Sequence, residues 1–182
     1  MTVRHGAPTP EVTPATPFNW RRTRPWACTV NDVDGACNLE LDEQLCIALY
    51  NASRAVNGCY RPLLDEIGIT YSQYAVMLVL WERESTTMRE LCAALHLDSG
   101  TLSPVLKRLE AMGFVTRTRH AADERILDVA ITPAGEALRE EAAAAQRSVE
   151  SMTGYEPHEI ARLRDELNAL SQRMRTAAST TA

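Results

Sequence analysis

The chain has few aromatic residues and no long apolar run. Only 5% of its 182 residues are aromatic, and no apolar stretch approaches the roughly 20 residues that a membrane-spanning helix needs. Arg21 and Arg22 are not followed by the apolar segment that an export signal requires. We therefore expect a cytoplasmic protein that does not bind membranes.

The cysteines do not have the spacing of a disulfide framework or of a metal site. There is neither a CxxC pair nor another metal-ligand pattern. The five residues are Cys28, Cys37, Cys46, Cys59 and Cys92. Free thiols are the default in a reducing compartment, so we expect no metal ion and no cofactor.

Net positive charge is also absent, since the formal charge is −5. That total argues weakly against a nucleic-acid partner, but the charge is unevenly distributed. Residues 104–125 carry five basic and three acidic side chains, a balance of +2, which leaves −7 for the rest of the chain. A local basic patch on an acidic protein is typical of a nucleic-acid footprint.

Residues 1–38 differ in composition from the rest of the chain. They hold five of the nine prolines and few aliphatic residues, so they bury too little surface to offset the entropy cost of folding. We expect a disordered arm. Its tryptophans and arginines at 20–26 are either solvated or in contact with DNA or a partner.

From Leu41 onward, apolar residues recur at intervals of three and four, which indicates helices. We expect residues 39–68 to form the N-terminal helix of a dimer and sensor region, with Pro62 bending or ending that helix. Residues 133–176 are expected to form two amphipathic dimerisation helices with a break at 154–157. Their apolar stripes need a partner surface, which a second copy of the chain supplies most simply.

Residues 69–132 have the element order of a winged helix. A capping box opens a helix at Thr70, and a short helix with a turn at 98–100 leads to another helix that ends at Gly113. Two β-rich runs with a polar tip follow directly. We predict a mainly α (α+β) fold, with a winged helix-turn-helix lobe joined to long N- and C-terminal dimerisation helices.

The helix after the turn carries the candidate DNA-reading side chains. Such a helix fits the major groove, and its first turns meet base edges and phosphates. The candidates are three hydroxyl side chains and two cations, namely Ser99, Thr101, Ser103, Lys107 and Arg108. An ordinary polar helix face is the alternative, but the hairpin that follows favours DNA reading.

Cys46 lies roughly 100° from the centre of the apolar stripe of its helix, on a face shared with Tyr50 and Tyr60. Cys59 lies within the stripe and is expected in the core. A thiolate attacks peroxides, and phenolic hydroxyls that donate hydrogen bonds to it stabilise it. Tyr50 is one turn away, whereas Tyr60 lies about 21 Å further along a straight helix. Tyr60 can therefore reach Cys46 only from a bent-back chain or from a second subunit.

Several motifs resemble the MarR family of transcription regulators. Its wing signature is matched in DERILDVAITPAG by Asp123, Arg125, Thr132 and Gly135. The organic hydroperoxide-sensing, OhrR-like branch is resembled more closely, through LCIALYNASRA, YRPLL, TYSQY, VLWE and LDSGTLSPVLKRLE. Together these motifs span over half the chain.

The resemblance implies a homodimeric winged-helix repressor that binds double-stranded operator DNA. Arg125 would probe the minor groove while Asp123 holds it, because narrow minor grooves concentrate negative potential. A surface ion pair between the two residues is the simpler interpretation, and both can hold.

The resemblance also assigns the thiol site. The reactive thiol matches Cys46, and the same-chain tyrosine matches Tyr50. The two tyrosines that the partner subunit supplies match Tyr60 and Tyr71. Oxidation of the thiol would disturb hydrogen bonds between the subunits and change the spacing of the DNA-reading helices.

One departure concerns the resolving cysteine, which two-cysteine members of this branch carry after the wing. Here no cysteine follows Cys92. We expect oxidised Cys46 to form a mixed disulfide with a low-molecular-weight thiol or to be overoxidised, unless Cys28, Cys37 or Cys59 resolves it.

These observations leave three functions open. The leading one is a repressor that releases its operator when an organic hydroperoxide oxidises Cys46. The alternative is a MarR-type repressor released by a non-oxidising, phenolic ligand. A thiol peroxidase would leave the DNA-reading segment unexplained and would lack an obvious resolving cysteine, so we expect no enzyme.

Overall fold

The computed structural model describes residues 39–120 and 123–181. Nearly all of the described residues belong to one compact unit, Leu41–Ala182. The arm expected over residues 1–38, with Cys28 and Cys37, lies outside the described residues. Within those residues, no helix is long and apolar enough to cross a membrane.

Helices dominate the described chain. A 3-10 turn, Leu41–Glu43, precedes α1 (Leu45–Glu66), α2 (Tyr71–Arg83), α3 (Met88–Leu95), α4 (Ser99–Ala111), α5 (Pro133–Ala137), α6 (Arg139–Met152) and α7 (Pro157–Thr181). The strands are β1 (Ser85–Thr87), β2 (Val115–His120) and β3 (Asp123–Ile131). They form one antiparallel sheet in the order β1-β3-β2.

The two expected N-capping residues, Thr70 and Thr132, begin α2 and α5. The side chain of Thr70 accepts a hydrogen bond from the N–H of Gln73, whose own side chain accepts one from the N–H of Thr70. Thr132 caps α5 by accepting from the N–H of Gly135, with proline at the first helical position. Gly113 ends the segment after α4 with a φ of +78°, a value that glycine adopts without strain.

Three local predictions need correction. Pro62 was expected to bend or end α1, and it does not end it, since α1 continues to Glu66 with Leu64 buried in the core two residues after the proline. The turn predicted at 98–100 lies two residues earlier, at 96–98, since His96 takes the left-handed conformation after α3 and Asp98 is the N-cap of α4. The helix expected from residue 133 is divided at Leu138 into α5 and α6.

Aliphatic side chains of the winged-helix lobe form most of the core. Those with almost no solvent exposure are Leu64, Ile69, Val76, Met77, Leu80, Leu91, Leu102, Leu106, Leu109, Val115 and Val129. They come from α1, the loop that follows it, α2, α3, α4 and the strands, so the sheet and α4 are held against α2. In this way the lobe fixes the outer face of α4.

Candidate functional site

The outer face of α4 presents the predicted DNA-reading side chains. Leu102, Leu106 and Leu109 anchor the opposite face in the core. Of the five candidates, four are exposed and Ser103 is half-buried. Helical periodicity therefore separates the apolar side of α4 from its polar side.

Hydrogen bonds at the start of α4 orient its hydroxyl side chains. Thr101 donates from its N–H to Asp98 Oδ1 and from its hydroxyl to Asp98 Oδ2, both at 2.8 Å. These bonds lower the pKa of Asp98 below its ordinary value, because they favour the charged carboxylate. Ser103 donates to the carbonyl oxygen of Ser99 at 2.6 Å. The oxygens of Thr101 and Ser103 can still accept hydrogen bonds from outside the helix.

An ion pair that the sequence analysis missed joins α4 to the wing strand β2. Arg117 Nε donates to Glu110 Oε2 at 2.8 Å, and its side chain is only 19% exposed. The hydrogen bond from Arg117 lowers the pKa of Glu110. Arg117 was counted with the basic patch, but its role here is to hold the wing against α4.

The wing itself is the β2–β3 hairpin, in which His120 pairs with Asp123. Residues 121–122 lie outside the described residues, and the side chains of residues 120–125 are not described. The backbone places Asp123 and Arg125 at the start of β3, next to the tip. Their proposed roles toward DNA remain predictions.

The base of the wing depends on a close approach at Gly135. Trp81 Nε1 donates to the carbonyl oxygen of Gly135 at 3.1 Å, in the buried core. A side-chain carbon built on Gly135 would lie 2.2 Å from the carbonyl oxygen of Phe114, so only glycine fits. Thr132 adds a hydrogen bond from its hydroxyl to the carbonyl oxygen of Gly113 at 2.6 Å. Thr132 and Gly135 of the wing signature thus fix the chain where the wing ends.

Cys46 and Tyr50 lie one turn apart on the exposed start of α1. Cys46 is a free thiol, and it is the second residue of the helix. The hydroxyl of Tyr50 accepts a hydrogen bond of 2.8 Å from Arg54 Nη1, and the Arg54 guanidinium lies 5.5 Å from the centre of the Tyr50 ring. Arg54 was not among the predicted site residues, although its spacing of four from Tyr50 could have indicated it.

Tyr60 and Tyr71 lie together at the other end of α1. Their ring centroids are 5.5 Å apart, and Tyr74 lies 5.4 Å from Tyr60 and 6.1 Å from Tyr71. Tyr60 is only 9% exposed, so it belongs to the core rather than to a solvent-facing side of α1. Burial, with Tyr74 close by, raises the pKa of Tyr60 well above its ordinary value of 10.0. Tyr60 therefore keeps its proton at neutral pH and can act as a hydrogen-bond donor.

The structure brings these site residues together in two pairs and keeps the pairs apart. The rise of α1 places Cys46 about 21 Å from Tyr60, because 14 residues separate them on one helix. The helix runs on through Pro62 and does not bend the chain back. Tyr60 and Tyr71 of one chain thus cannot reach Cys46 of the same chain.

The N-terminal half of α1 leaves its apolar stripe uncovered. Leu45 is 60% exposed and Leu49 is 36% exposed, whereas Cys59, further along the stripe, packs against the core. A groove of about 480 Å³ beside Cys46 is lined by α1 and α7, through Leu45, Cys46, Leu49, Leu167, Leu170, Ser171 and Met174. An apolar surface of this extent on a folded chain is typical of an interface.

The other described thiols are less accessible than Cys46. Cys59 and Cys92 are half-buried and pack against the core. Among the described residues, no three His, Cys, Asp or Glu side chains are grouped closely enough to hold a metal ion.

The capped helix α4, the antiparallel wing and the helices α1, α6 and α7 outside the lobe define a winged-helix regulator. The family model described as "Transcriptional regulator SarA/Rot" matches residues 59–142. The "Organic hydroperoxide resistance transcriptional regulator" of Bacillus subtilis (strain 168) is 46% identical over 105 residues, which are 58% of this chain and 71% of that protein.

Solved structures agree with that classification. AbfR, crystallised overoxidised on DNA, is 37% identical and superposes with a TM-score of 0.62, covering 74% of this chain and 94% of that chain. AbfR, from Staphylococcus epidermidis, was also solved reduced on DNA and in a disulfide form. NadR in complex with 4-hydroxyphenylacetate is 25% identical with a TM-score of 0.61, covering 74% of this chain and 97% of that chain.

The chain therefore belongs to the MarR family of transcriptional regulators, in its OhrR-like branch. The relatives are named as regulators and not as enzymes, in agreement with the sequence prediction. The mainly α winged-helix fold is likewise confirmed.

Proposed function

We propose that this protein is a dimeric, cytoplasmic repressor that releases operator DNA when an organic hydroperoxide oxidises Cys46. One observation carries the proposal: the two halves of the predicted thiol site are both present but lie at opposite ends of α1. A second copy of the chain would bring Tyr60 and Tyr71 to Cys46. The uncovered apolar stripe of α1 supplies a surface for that copy.

DNA binding is assigned to α4 and the wing. Lys107 and Arg108 are exposed on the outer face of α4 and would neutralise phosphates, while Ser99 and Thr101 would meet base edges in the major groove. AbfR, a relative with the same fold, was crystallised on DNA, which supports this assignment.

The proposed chemistry is nucleophilic attack by the Cys46 thiolate on the terminal oxygen of the hydroperoxide. A sulfur–oxygen bond forms while the oxygen–oxygen bond breaks, so the sulfur becomes sulfenic acid and an alkoxide leaves, which takes a proton from water. Tyr50 and the partner's tyrosines would stabilise the thiolate beforehand, since a charged acceptor forms stronger hydrogen bonds than a neutral one. A low-molecular-weight thiol could then displace water from the sulfenic acid and form a mixed disulfide.

The direct test is an operator-binding titration with cumene hydroperoxide, followed by intact-mass measurement of the protein. Wild-type protein should lose DNA as one oxygen atom is added, and Cys46→Ser should keep its DNA. Cys59→Ser, on the same helix, is the control and should behave as wild type. Release of DNA from the Cys46→Ser protein on adding hydroperoxide would exclude the proposal.

Mixed dimers test whether the second subunit supplies the tyrosines. A Cys46→Ser chain retains both tyrosines, and a Tyr60→Phe/Tyr71→Phe chain retains the thiol. If each site combines the thiol of one chain with the tyrosines of the other, a dimer of these two chains has one complete site. Its single Cys46 should react at the wild-type rate, with half the amplitude of the wild-type dimer. A rate equal to that of the double tyrosine variant alone would place the tyrosines and the thiol in the same chain.

A second candidate function is release by a non-oxidising phenolic ligand. It is favoured by the apolar groove beside Cys46 and by the complex of NadR with 4-hydroxyphenylacetate. Under this function the Cys46→Ser protein should release DNA on addition of 4-hydroxyphenylacetate without any change in mass. Retention of DNA at saturating ligand would exclude this compound as the signal.

A further inference from the structure

Three residues form a row along the exposed face of α1 at intervals of one turn. Cys46, Tyr50 and Arg54 are spaced by four, and all three are exposed. Helical side chains lean toward the N-terminus, so Arg54 extends over Tyr50 and Tyr50 extends over the turn that holds Cys46. The contact of 2.8 Å between Arg54 Nη1 and the Tyr50 hydroxyl is consistent with this direction.

The chemistry of the Arg54 contact fixes the direction of the hydrogen bond. A guanidinium has only N–H donors and stays protonated, whereas a phenol has one O–H donor and can also accept. Tyr50 must therefore be the acceptor toward Arg54. Its own proton is left for a different acceptor, and the sulfur of Cys46 is the next group along the row.

We infer that Arg54 is a positioning residue, which holds Tyr50 so that its hydroxyl proton is donated to the Cys46 thiolate. The inference rests on the proposed function, because it concerns the reactive state of Cys46. The cation over the Tyr50 ring also polarises the O–H bond and makes Tyr50 a better donor. Arg54 thereby favours the thiolate without touching it.

Arginine suits this position better than lysine. Its planar guanidinium lies against the ring and donates to the hydroxyl at the same time. A lysine would keep the charge and one donor but would lose the fixed geometry. Arg54→Lys should therefore retain part of the effect, and Arg54→Met should abolish it.

The test is the rate at which Cys46 becomes sulfenic acid with cumene hydroperoxide, at fixed pH and salt. Arg54→Met should slow the reaction by about fivefold, the upper range for an exposed charged contact, with Arg54→Lys between it and wild type. Tyr50→Phe should also slow it. Adding Arg54→Met to Tyr50→Phe should then cause no further loss, because Arg54 acts through Tyr50.

Arg89→Met is the matched control. Arg89 is exposed on α3, away from Cys46 and from all three tyrosines of the proposed site, so its removal changes the net charge equally and should leave the rate unchanged. An equal loss from Arg54→Met in both backgrounds, or an equal loss from Arg89→Met, would overturn the inference. A wild-type Cys46 that does not react at all would instead refute the proposed function itself, and the inference with it.

Discussion

A methyl group added at Gly135 is expected to disturb the base of the wing. The new Cβ would lie 2.2 Å from the carbonyl oxygen of Phe114, which is backbone and cannot rotate away. A Cβ needs at least 3.0 Å, so α5 would have to move by about 0.8 Å, the difference between these distances. Ile131 lies on another side of the same Cβ position, at 3.0 Å, and limits the direction of that movement.

The loss of stability in Gly135→Ala follows from the hydrogen bonds that a movement of α5 would weaken. These are the bond from Trp81 Nε1 to the carbonyl oxygen of Gly135, at 3.1 Å, and the bond from the Thr132 N–H to the carbonyl oxygen of Phe114, at 3.0 Å. Overpacking costs about 1–3 kcal/mol, and each weakened hydrogen bond about 1 kcal/mol. We expect the free energy of unfolding to fall by about 3–5 kcal/mol and the Tm by about 6–20 °C.

Thermal unfolding followed by circular dichroism measures this loss. Wild type and variants need equal protein concentration, because dimerisation makes the Tm depend on concentration. Gly58→Ala is the control: Gly58 is exposed inside α1 with nothing within 4 Å of its Cβ position, so this change should raise the stability by about 0.5–1 kcal/mol. A Tm for Gly135→Ala within about 2 °C of wild type would refute the packing argument.

Three further predictions concern α4 and the wing. Lys107→Ala should weaken binding to all DNA sequences. It should also reduce the slope of log affinity against the log of the salt concentration by about 1, and an unchanged slope would place Lys107 outside the interface. Arg125→Ala should weaken DNA binding by the reduced protein, most strongly at operators with a narrow minor groove. Fluorescence anisotropy titrations that give wild type and Arg125→Ala the same affinity would exclude a role of the wing in DNA recognition. Arg117 lowers the pKa of Glu110, so their contact should stabilise the folded state fully above pH 4.5, the ordinary pKa of a glutamate. That stabilisation should be lost as the pH falls through the lower pKa of the folded state. The free energies of unfolding of wild type and Glu110→Gln should therefore differ at neutral pH and converge in acid, and a difference that does not change with pH would contradict this.

The order of elements in the winged-helix lobe could be predicted because local chemistry determines it. The capping residue Thr70, the left-handed Gly113 and the Thr132-Pro133 start each act within a few residues of their own position. The polar face of α4 follows from helical periodicity in the same way. The short strand β1 could not be predicted, since its three residues form a strand only by pairing with β3.

The predicted sensor region shows where local reasoning fails. A helical wheel places Tyr60 beside Cys46 on a polar face, but the ring of Tyr60 is buried by α2, through Tyr71 and Tyr74. The wheel also groups Leu45 with the core, although 60% of its surface is exposed in the single chain. Both differences depend on which element packs against each turn of α1, and periodicity does not contain that information. The contact between Arg54 and Tyr50 is a side-chain detail of the same kind.

The position of Tyr60 and Tyr71 connects the predicted thiol site to the base of the wing. Tyr60 contacts Tyr74, and the ring of Tyr74 lies 6.3 Å from that of Trp81. Trp81 donates directly to the carbonyl oxygen of Gly135, at the base of the wing. Under the proposed function, the partner's thiolate accepts a hydrogen bond from Tyr60, and oxidation of that thiolate weakens the bond. The group that senses the change therefore belongs to the same packed aromatic row that fixes the wing.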